Sequence, residues 1–592
     1  MDTNFIYSPL VTERSIRLLR ILPGLDGEVI RCELQAATLS PPSVEQQPLF
    51  EALSYVWGPP DPPQNIICNG VVKTVTPNLA SALRRIRASE ELVGRAFWID
   101  ALCINQDDLD ERNQQVLLMR ELYARADYVI VHLGEDGDSH ADTVFDVITK
   151  ASLYVRSEAG LGAEDAIERD HLLSLAKEGV SSEAKLRRDI PHMDSQQWQS
   201  VISFFSRPWF TRVWVVQEVA FRQAFFSLGR HYIPWSDIFI ATRWLVKKEY
   251  SRSNEECANL LRICLMYRGT GDADTSLYSL ISSLRWFRAT DPRDKVYAIL
   301  GMCGEKPTMD PSSLVCPDYR KDLVAVYADT VRYLIRHRTA LHHPLDFLGM
   351  MGGSRAEEDT FPSWVPHWDI SNEEFDSLLS AELRGEWHAG GDDPGDPVET
   401  GNQLLLCLRG LKITTLTRVE YELPTDLYVE DSRYHKVLMG LWIRTMKEFQ
   451  LSGSLASLEE MFAQTITIGH KRKCEGAGFE PFHASDFNAY MDYYWWRKQG
   501  TSQLYARSFL LDVDLNWSFF LTPDGRIGSG HLAAKTGDLI CVLFGGRVPY
   551  IIRPAGCYYK FIGECLVPGL MHGEAVEDWK ASRLSDEEFI FQ

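Results

Sequence analysis

At 592 residues the chain is too long for a single hydrophobic core, because cores stop growing at roughly 250–300 residues, and about three domains are expected. Hydrophobic residues (45%) and charged residues (24%) stand in globular proportion, which excludes a largely disordered chain. Lys and Arg total 61 against 82 Asp and Glu, and the resulting net charge of -21 repels phosphate backbones, so nucleic acid is not an expected partner.

The first residues, Met1 to Ser15, have neither a basic nor an apolar region of the secretory kind. No apolar run approaches the roughly 20 residues that span a bilayer. The 12 cysteines are scattered with no C-x-x-C, as expected of small apolar core residues in a reducing compartment. A cytoplasmic protein without a membrane span and without a metal site is the expectation.

In chain order, residues 16–22 and 29–34 are short β-like runs separated by the turn signals Pro23-Gly24 and Asp26-Gly27, a β-hairpin arm within residues 1–48. From residue 49 to 230 strands alternate with amphipathic helices. Strands are expected at 53–56, 98–101, 128–133 and 225–228. Thr76-Pro77 supplies an N-cap and a first-turn proline for a helix carrying Leu79, Leu83 and Ile86. Asp107 to Ala126 reads as a helix with Val116, Met119 and Tyr123 on one face. Residues 136–192 look like a polar helical insertion, and Asp194 or Ser195 caps a helix carrying Trp198, Ile202 and Phe205. This alternation predicts one parallel sheet covered on both faces.

Residues 231–384 read as mainly helical. Residues 385–400, rich in Gly, Asp and Pro, have linker composition, and 401–592 reads as a C-terminal α+β domain with β-like runs at 404–408, 539–544 and 550–552.

Three blocks then carry a resemblance. They are Phe50-Glu-Ala-Leu-Ser-Tyr-Val-Trp-Gly58; Phe97-Trp-Ile-Asp-Ala-Leu-Cys-Ile-Asn-Gln-Asp107 with Glu111-Arg-Asn-Gln-Gln-Val116 and Met119-Arg-Glu-Leu-Tyr-Ala-Arg-Ala126; and Arg207-Pro-Trp-Phe-Thr-Arg-Val-Trp-Val-Val-Gln-Glu218. Each is long and rich in rare residues, and together they resemble the signature of the fungal heterokaryon-incompatibility (HET) domain. Asp291-Pro-Arg-Asp-Lys-Val-Tyr-Ala-Ile-Leu-Gly301, Pro362-Ser-Trp-Val-Pro366 and Gly537-Asp-Leu-Ile-Cys-Val-Leu-Phe-Gly-Gly546 resemble segments found downstream in such proteins. The resemblance implies a non-self-recognition or cell-death role, and self-association or another incompatibility protein as partner.

HET domains have been likened to Toll/interleukin-1-receptor (TIR) domains, which implies a flavodoxin-like parallel sheet. Many TIR domains carry a Trp-x-x-x-Glu helix whose Glu serves NAD cleavage, and Trp214 and Glu218 have that spacing, one turn apart. By that likeness Glu218 is the candidate catalytic residue and NAD a substrate, with no resident cofactor. Tyr55, Trp57, Gly58, Asp100, Asn105, Gln106 and Trp214 are candidate binding residues, because ligands of open α/β sheets sit at the carboxyl ends of strands.

Each residue also has a plainer reading. The tryptophans suit core packing, and Gly58 before two prolines suits a turn. Asn105-Gln106-Asp107 either caps the next helix or contacts a ligand. Asp100 closes an apolar strand and needs a donor, Cys103 lacks a nearby His and reads as inert, and Glu218 could pair with Arg212, Arg222 or Arg112. Two functions therefore stay open: a signalling NAD glycohydrolase, and a non-enzymatic association module whose aromatic residues form an interface.

Overall fold

The computed structural model describes residues 5–40, 48–137, 140–162, 190–220, 223–247, 254–266, 275–304, 315–337, 345–350, 361–370, 387–392, 395–420 and 517–592, with short pieces between 440 and 481. The chain divides into two units, Met1–Lys321 and Asp322–Gln592. Among the described residues no helix is long and apolar enough to cross a membrane.

Among the described residues the first unit has nine strands: β1 (Ser15–Ile21), β2 (Arg31–Thr38), β3 (Glu51–Tyr55), β4 (Gln64–Cys68), β5 (Val71–Val75), β6 (Ala96–Trp98), β7 (Val129–His132), β8 (Ala224–Leu228) and β9 (His231–Pro234). They lie in the order β5-β4-β2-β1-β6-β3-β7-β8-β9. The four strands expected from sequence are the central ones, and each neighbouring pair among them, β6–β3, β3–β7 and β7–β8, is parallel. All residues of β3 and β7 are buried, as expected of strands covered on both faces.

The sheet is nevertheless mixed, which corrects the all-parallel expectation. The β1–β2 hairpin forms as read, but β1 also pairs antiparallel with β6 (Leu19↔Phe97), so the arm is a flank of the sheet. At one edge the antiparallel β4–β5 hairpin joins β2 in parallel, and at the other β9 pairs antiparallel with β8. The β4–β5 turn is Asn69-Gly70 with φ of 51° and 80°, the left-handed pair that two-residue hairpins favour.

Between β5 and β8 the described residues include six α-helices: α1 (Pro77–Ala88), α2 (Asp100–Cys103), α3 (Leu109–Arg125), α4 (Ala141–Glu158), α5 (Gln196–Phe205) and α6 (Val215–Val219). α1 starts as predicted, with Thr76 Oγ1 accepting from the Leu79 N–H and proline in the first turn. β6 is shorter than the 98–101 expectation, because α2 begins at Asp100. The cap of α3 is Asp108, whose carboxylate accepts from Asp110 and Glu111 N–H, rather than Asn105-Gln106-Asp107. Ser195 caps α5. Four more helices follow: α7 (Trp235–Lys247), α8 (Asn254–Met266), α9 (Leu277–Leu284) and α10 (Asp294–Leu300).

In the second unit, after α11 (Leu323–Arg336), the expected β-runs become strands at Leu406–Thr415, Leu539–Leu543 and Tyr550–Ala555. These join Tyr558–Leu566 and Asp586–Phe591 in sequence around a ring, and Tyr559↔Phe591 closes it. The closed ring encloses Leu411, Ile540, Val542, Ile551 and Ile562, and closure leaves those five strands without a free edge.

The segment with linker composition is packed here. The Ala389 N–H donates to the Arg547 carbonyl (2.9 Å), and the Gly390 N–H to that of Gly546 (2.8 Å). A β-carbon on Gly390 would lie 2.2 Å from Leu543 O, and one on Gly395 2.1 Å from Phe544 O. These glycines serve close backbone approach rather than flexibility. Gly390→Ala is therefore expected to destabilise this unit by about 1–3 kcal/mol, read as a lowered urea midpoint of the full chain. Limited proteolysis of the wild type should spare 387–392, and first cleavage there would contradict the packing.

Candidate active site

The site forms where β3 ends. Ser54 is a hydroxyl on the buried strand β3, 1% exposed, and such a group requires partners. It has two. Trp209 Nε1 donates to Ser54 Oγ (2.7 Å), and Ser54 Oγ donates to Glu218 Oε2. Trp209 sits in a 3-10 turn, Pro208–Thr211, and Glu218 in the one-turn helix α6, all five residues of which are buried. Between them Arg212 donates to the Tyr55 carbonyl. The block 207–218 thus wraps the carboxyl end of β3 with three polar contacts.

Just past β6, the first residue of α2 supplies the second carboxylate. Asp100 accepts from Trp57 Nε1 (2.9 Å) and from the Ala101 N–H (2.7 Å). Trp57 is 38% exposed and is the open aromatic of the group, whereas Tyr55 is buried. Tyr123 of α3 lies edge-on to Trp98, with ring centres 5.4 Å apart, and its hydroxyl donates to the Leu53 carbonyl (3.4 Å).

Burial dominates the electrostatics. Desolvation raises Glu218 to about 7; the Arg212 charge and the Ser54 hydroxyl pull the other way, and Asp100 pushes it further up. Desolvation likewise raises Asp100 above the ordinary carboxylate range, against the pull of Arg212 and Trp57. Arg212 is thus the cation acting on both carboxyls. The phenols of Tyr55 and Tyr123 are held well above their usual value, first by burial and then by these carboxylates. A carboxyl titrating near neutrality can carry charge or a proton as a reaction requires. Burial also pushes the Cys103 thiol up to about 12, so it stays protonated.

The structure therefore brings Tyr55, Trp57, Asp100 and Glu218 together and adds Ser54, Tyr123, Trp209 and Arg212. Of these additions Arg212 carried a sequence signal as a candidate ion partner and Trp209 as one of the signature tryptophans; Ser54 lies inside the first signature block but was not singled out. The other predicted residues fall elsewhere. Gln106 Nε2 donates to the Asp100 carbonyl (3.1 Å), and the Asn105 N–H donates to Glu111 (2.6 Å), so both brace the loop. Gly58 turns the chain at φ 68°, and a β-carbon there would meet Asn78 Nδ2 at 2.5 Å. Trp214 does not face the cluster: its Nε1 donates to Asp294 (2.9 Å). Arg112 lies over the Tyr319 ring (3.6 Å), and Arg222 lies outside the described residues.

A carboxylate-bearing cluster thus lies at the carboxyl ends of parallel strands in the first unit, and the second unit holds a closed β-ring. Residues 50–218 match the family model of the heterokaryon incompatibility protein (HET), and residues 488–585 match the Het-6 beta-barrel domain. The chain is also 24% identical, over 665 aligned positions covering 95% of it and 94% of the relative, to heterokaryon incompatibility protein 6, OR allele, of Neurospora crassa. No solved structure matches. The chain is thus similar to HET-domain proteins, over residues 50–218 by the family model and along most of its length by the Neurospora relative.

The raised Glu218 has a thermodynamic consequence. The folded chain keeps this proton up to about pH 7, while an unfolded chain loses it near 4.5. Its contribution to stability is therefore full below the unfolded value and is lost as pH rises through the folded one. Glu218→Gln should melt close to wild type at about pH 5 and above wild type at about pH 8. Circular-dichroism melts at both pH values check this, and a deficit that grows with pH would reverse the sign.

Proposed function

We propose that this protein acts in heterokaryon incompatibility, as a non-self-recognition component that leads to cell death, and that Glu218 is its catalytic residue for cleaving NAD at the nicotinamide–ribose bond. The role is supported by the relative's name and by its coverage of nearly the whole chain. The chemistry is supported chiefly by one observation: a buried carboxyl raised to about 7 where parallel strands end.

Numbered along the chain, the parallel strands lie in the order 2-1-3-4, as in flavodoxin-like sheets, whose ligands sit between the first and third strands. β3 and β7 are those strands here, and Tyr55 and His132 are register partners at their ends. Breaking the bond to nicotinamide develops oxocarbenium charge on the ribose, which an ionised Glu218 would stabilise. Trp57, the exposed aromatic, offers a stacking face at the rim. Arg212 favours the ionised form of Glu218. At 4% exposure the carboxylate is nearly covered, which suits a site silent in single copies and opened by self-association or by another incompatibility protein.

The test is nicotinamide release from NAD by the full chain, free and as a forced oligomer. Clustered wild type should turn over, and Glu218→Gln should lose roughly 10²–10³ in rate with its fold intact. Because the ionised form acts, turnover should fall as pH drops through about 7. Equal inertness of clustered wild type and variant would favour the association module instead.

A further inference from the structure

The run Asp291-Pro-Arg-Asp-Lys-Val-Tyr297 lies beyond the HET match. Its contacts nevertheless converge on the segment bearing Arg212 and Glu218. Asp294, at the start of α10, is buried and accepts from Trp214 Nε1 (2.9 Å) and from the Tyr319 hydroxyl (2.6 Å). Trp214 is the N-terminal boundary of α6. Just upstream, the Val213 N–H donates to the Arg288 carbonyl (2.9 Å), and the Arg288 N–H returns to that of Thr211 (2.5 Å), fixing the backbone on both sides of Arg212. Lys295 Nζ ties down that Arg288 segment through the Arg285 carbonyl (2.8 Å) and that of Phe287. Arg293, paired with Asp291 (2.8 Å), donates to the carbonyls of Tyr319 (2.7 Å) and Lys321 (2.9 Å), which holds Tyr319 against Asp294.

A helix of one turn has too few internal hydrogen bonds to hold itself, so tertiary contacts must set its position. For α6 two such polar contacts stand at opposite ends: Glu218 to Ser54 at one, Trp214 to Asp294 at the other. We propose that Asp294 is a positioning residue for Glu218, holding α6 through Trp214 so that the carboxylate meets Ser54 and Arg212. The geometry supports this directly; its catalytic consequence rests on the NAD-cleavage reading.

The test compares wild type, Asp294→Ala, Asp294→Asn, Trp214→Phe and the Asp294→Ala/Trp214→Phe double variant, each as the full chain. Hydrogen exchange of amides 215–219 should rise about tenfold in Asp294→Ala and in Trp214→Phe, with the rest of the first unit unchanged. The double variant should exchange no faster than either single one, because both remove one interaction. Asn at 294 keeps an acceptor oxygen and should restore most of the protection. In the clustered NAD assay, Asp294→Ala should lower kcat with KM unchanged and move the acid limb to higher pH, since Glu218 loses Ser54 and its fixed distance to Arg212. Unchanged exchange at 215–219, a rise spread evenly over the unit, or additive effects would overturn the proposal. So would an unmoved acid limb in an active enzyme. If clustered wild type is inert, the NAD reading fails by itself, and the exchange pattern alone decides whether Asp294 holds α6.

Discussion

The hydrogen bond from Ser54 to Glu218 is the contact on which the first unit's arrangement turns. An isolated carboxylate taken out of water is costly enough that it either finds donors or stays protonated. Glu218 does some of each: Ser54 and Arg212 favour its charge, yet desolvation outweighs them. That balance constrains its surroundings. Ser54 must lie in the strand, Trp209 must supply Ser54 with a donor so that its own proton is free for Glu218, and Arg212 must be fixed nearby by the Tyr55 carbonyl. The third signature block is thus three consecutive devices aimed at the end of one strand.

The same problem is met at the hairpin flank. Arg17 is fully buried on β1 and forms a two-pronged pair with Glu111 (2.6 and 2.9 Å) while also donating to the Cys103 carbonyl (3.0 Å). Glu111 in turn accepts the Asn105 N–H. A buried pair of this kind adds less stability than its Coulomb energy suggests, but losing one partner leaves a stranded charge. Its effect is geometric: it ties β1 to the loop after α2, and that loop's Gln106 braces the Asp100 carbonyl. The orientation of Asp100 thus depends on a strand outside the signature blocks.

The central strands were legible because continuous buried apolar runs such as 129–132 differ from the alternating pattern of β2. Strand partners were not: a β-like run at 15–21 marks a strand but cannot say that its free edge meets β6. The β4–β5 hairpin carries a legible Asn69-Gly70 turn signal, yet it lies outside the elements expected from periodicity. Glycines at 390 and 395 misled in the opposite direction, since composition does not separate a flexible linker from a backbone pressed against another backbone. At the site, Glu218, Tyr55, Trp57 and Asp100 share one strand-end neighbourhood that the topology made expectable. Ser54 and Tyr123 come from positions that look like ordinary strand and helix.

Trp214 and Glu218 show most plainly where spacing stops being informative. Four residues apart on a long helix, two side chains share a face. Here the helix is five residues long and Trp214 is its boundary, so the indole turns toward Asp294 while the carboxyl turns toward Ser54. The pattern therefore marks the two anchor points of a short buried helix, Trp214 at Asp294 and Glu218 at Ser54. On this geometry the Trp is required because an indole combines apolar bulk with a single N–H that can reach a buried carboxylate. A sequence that kept Glu218 but lost either Trp214 or Asp294 would retain the carboxyl and lose the hydrogen bond that anchors the other end of its helix.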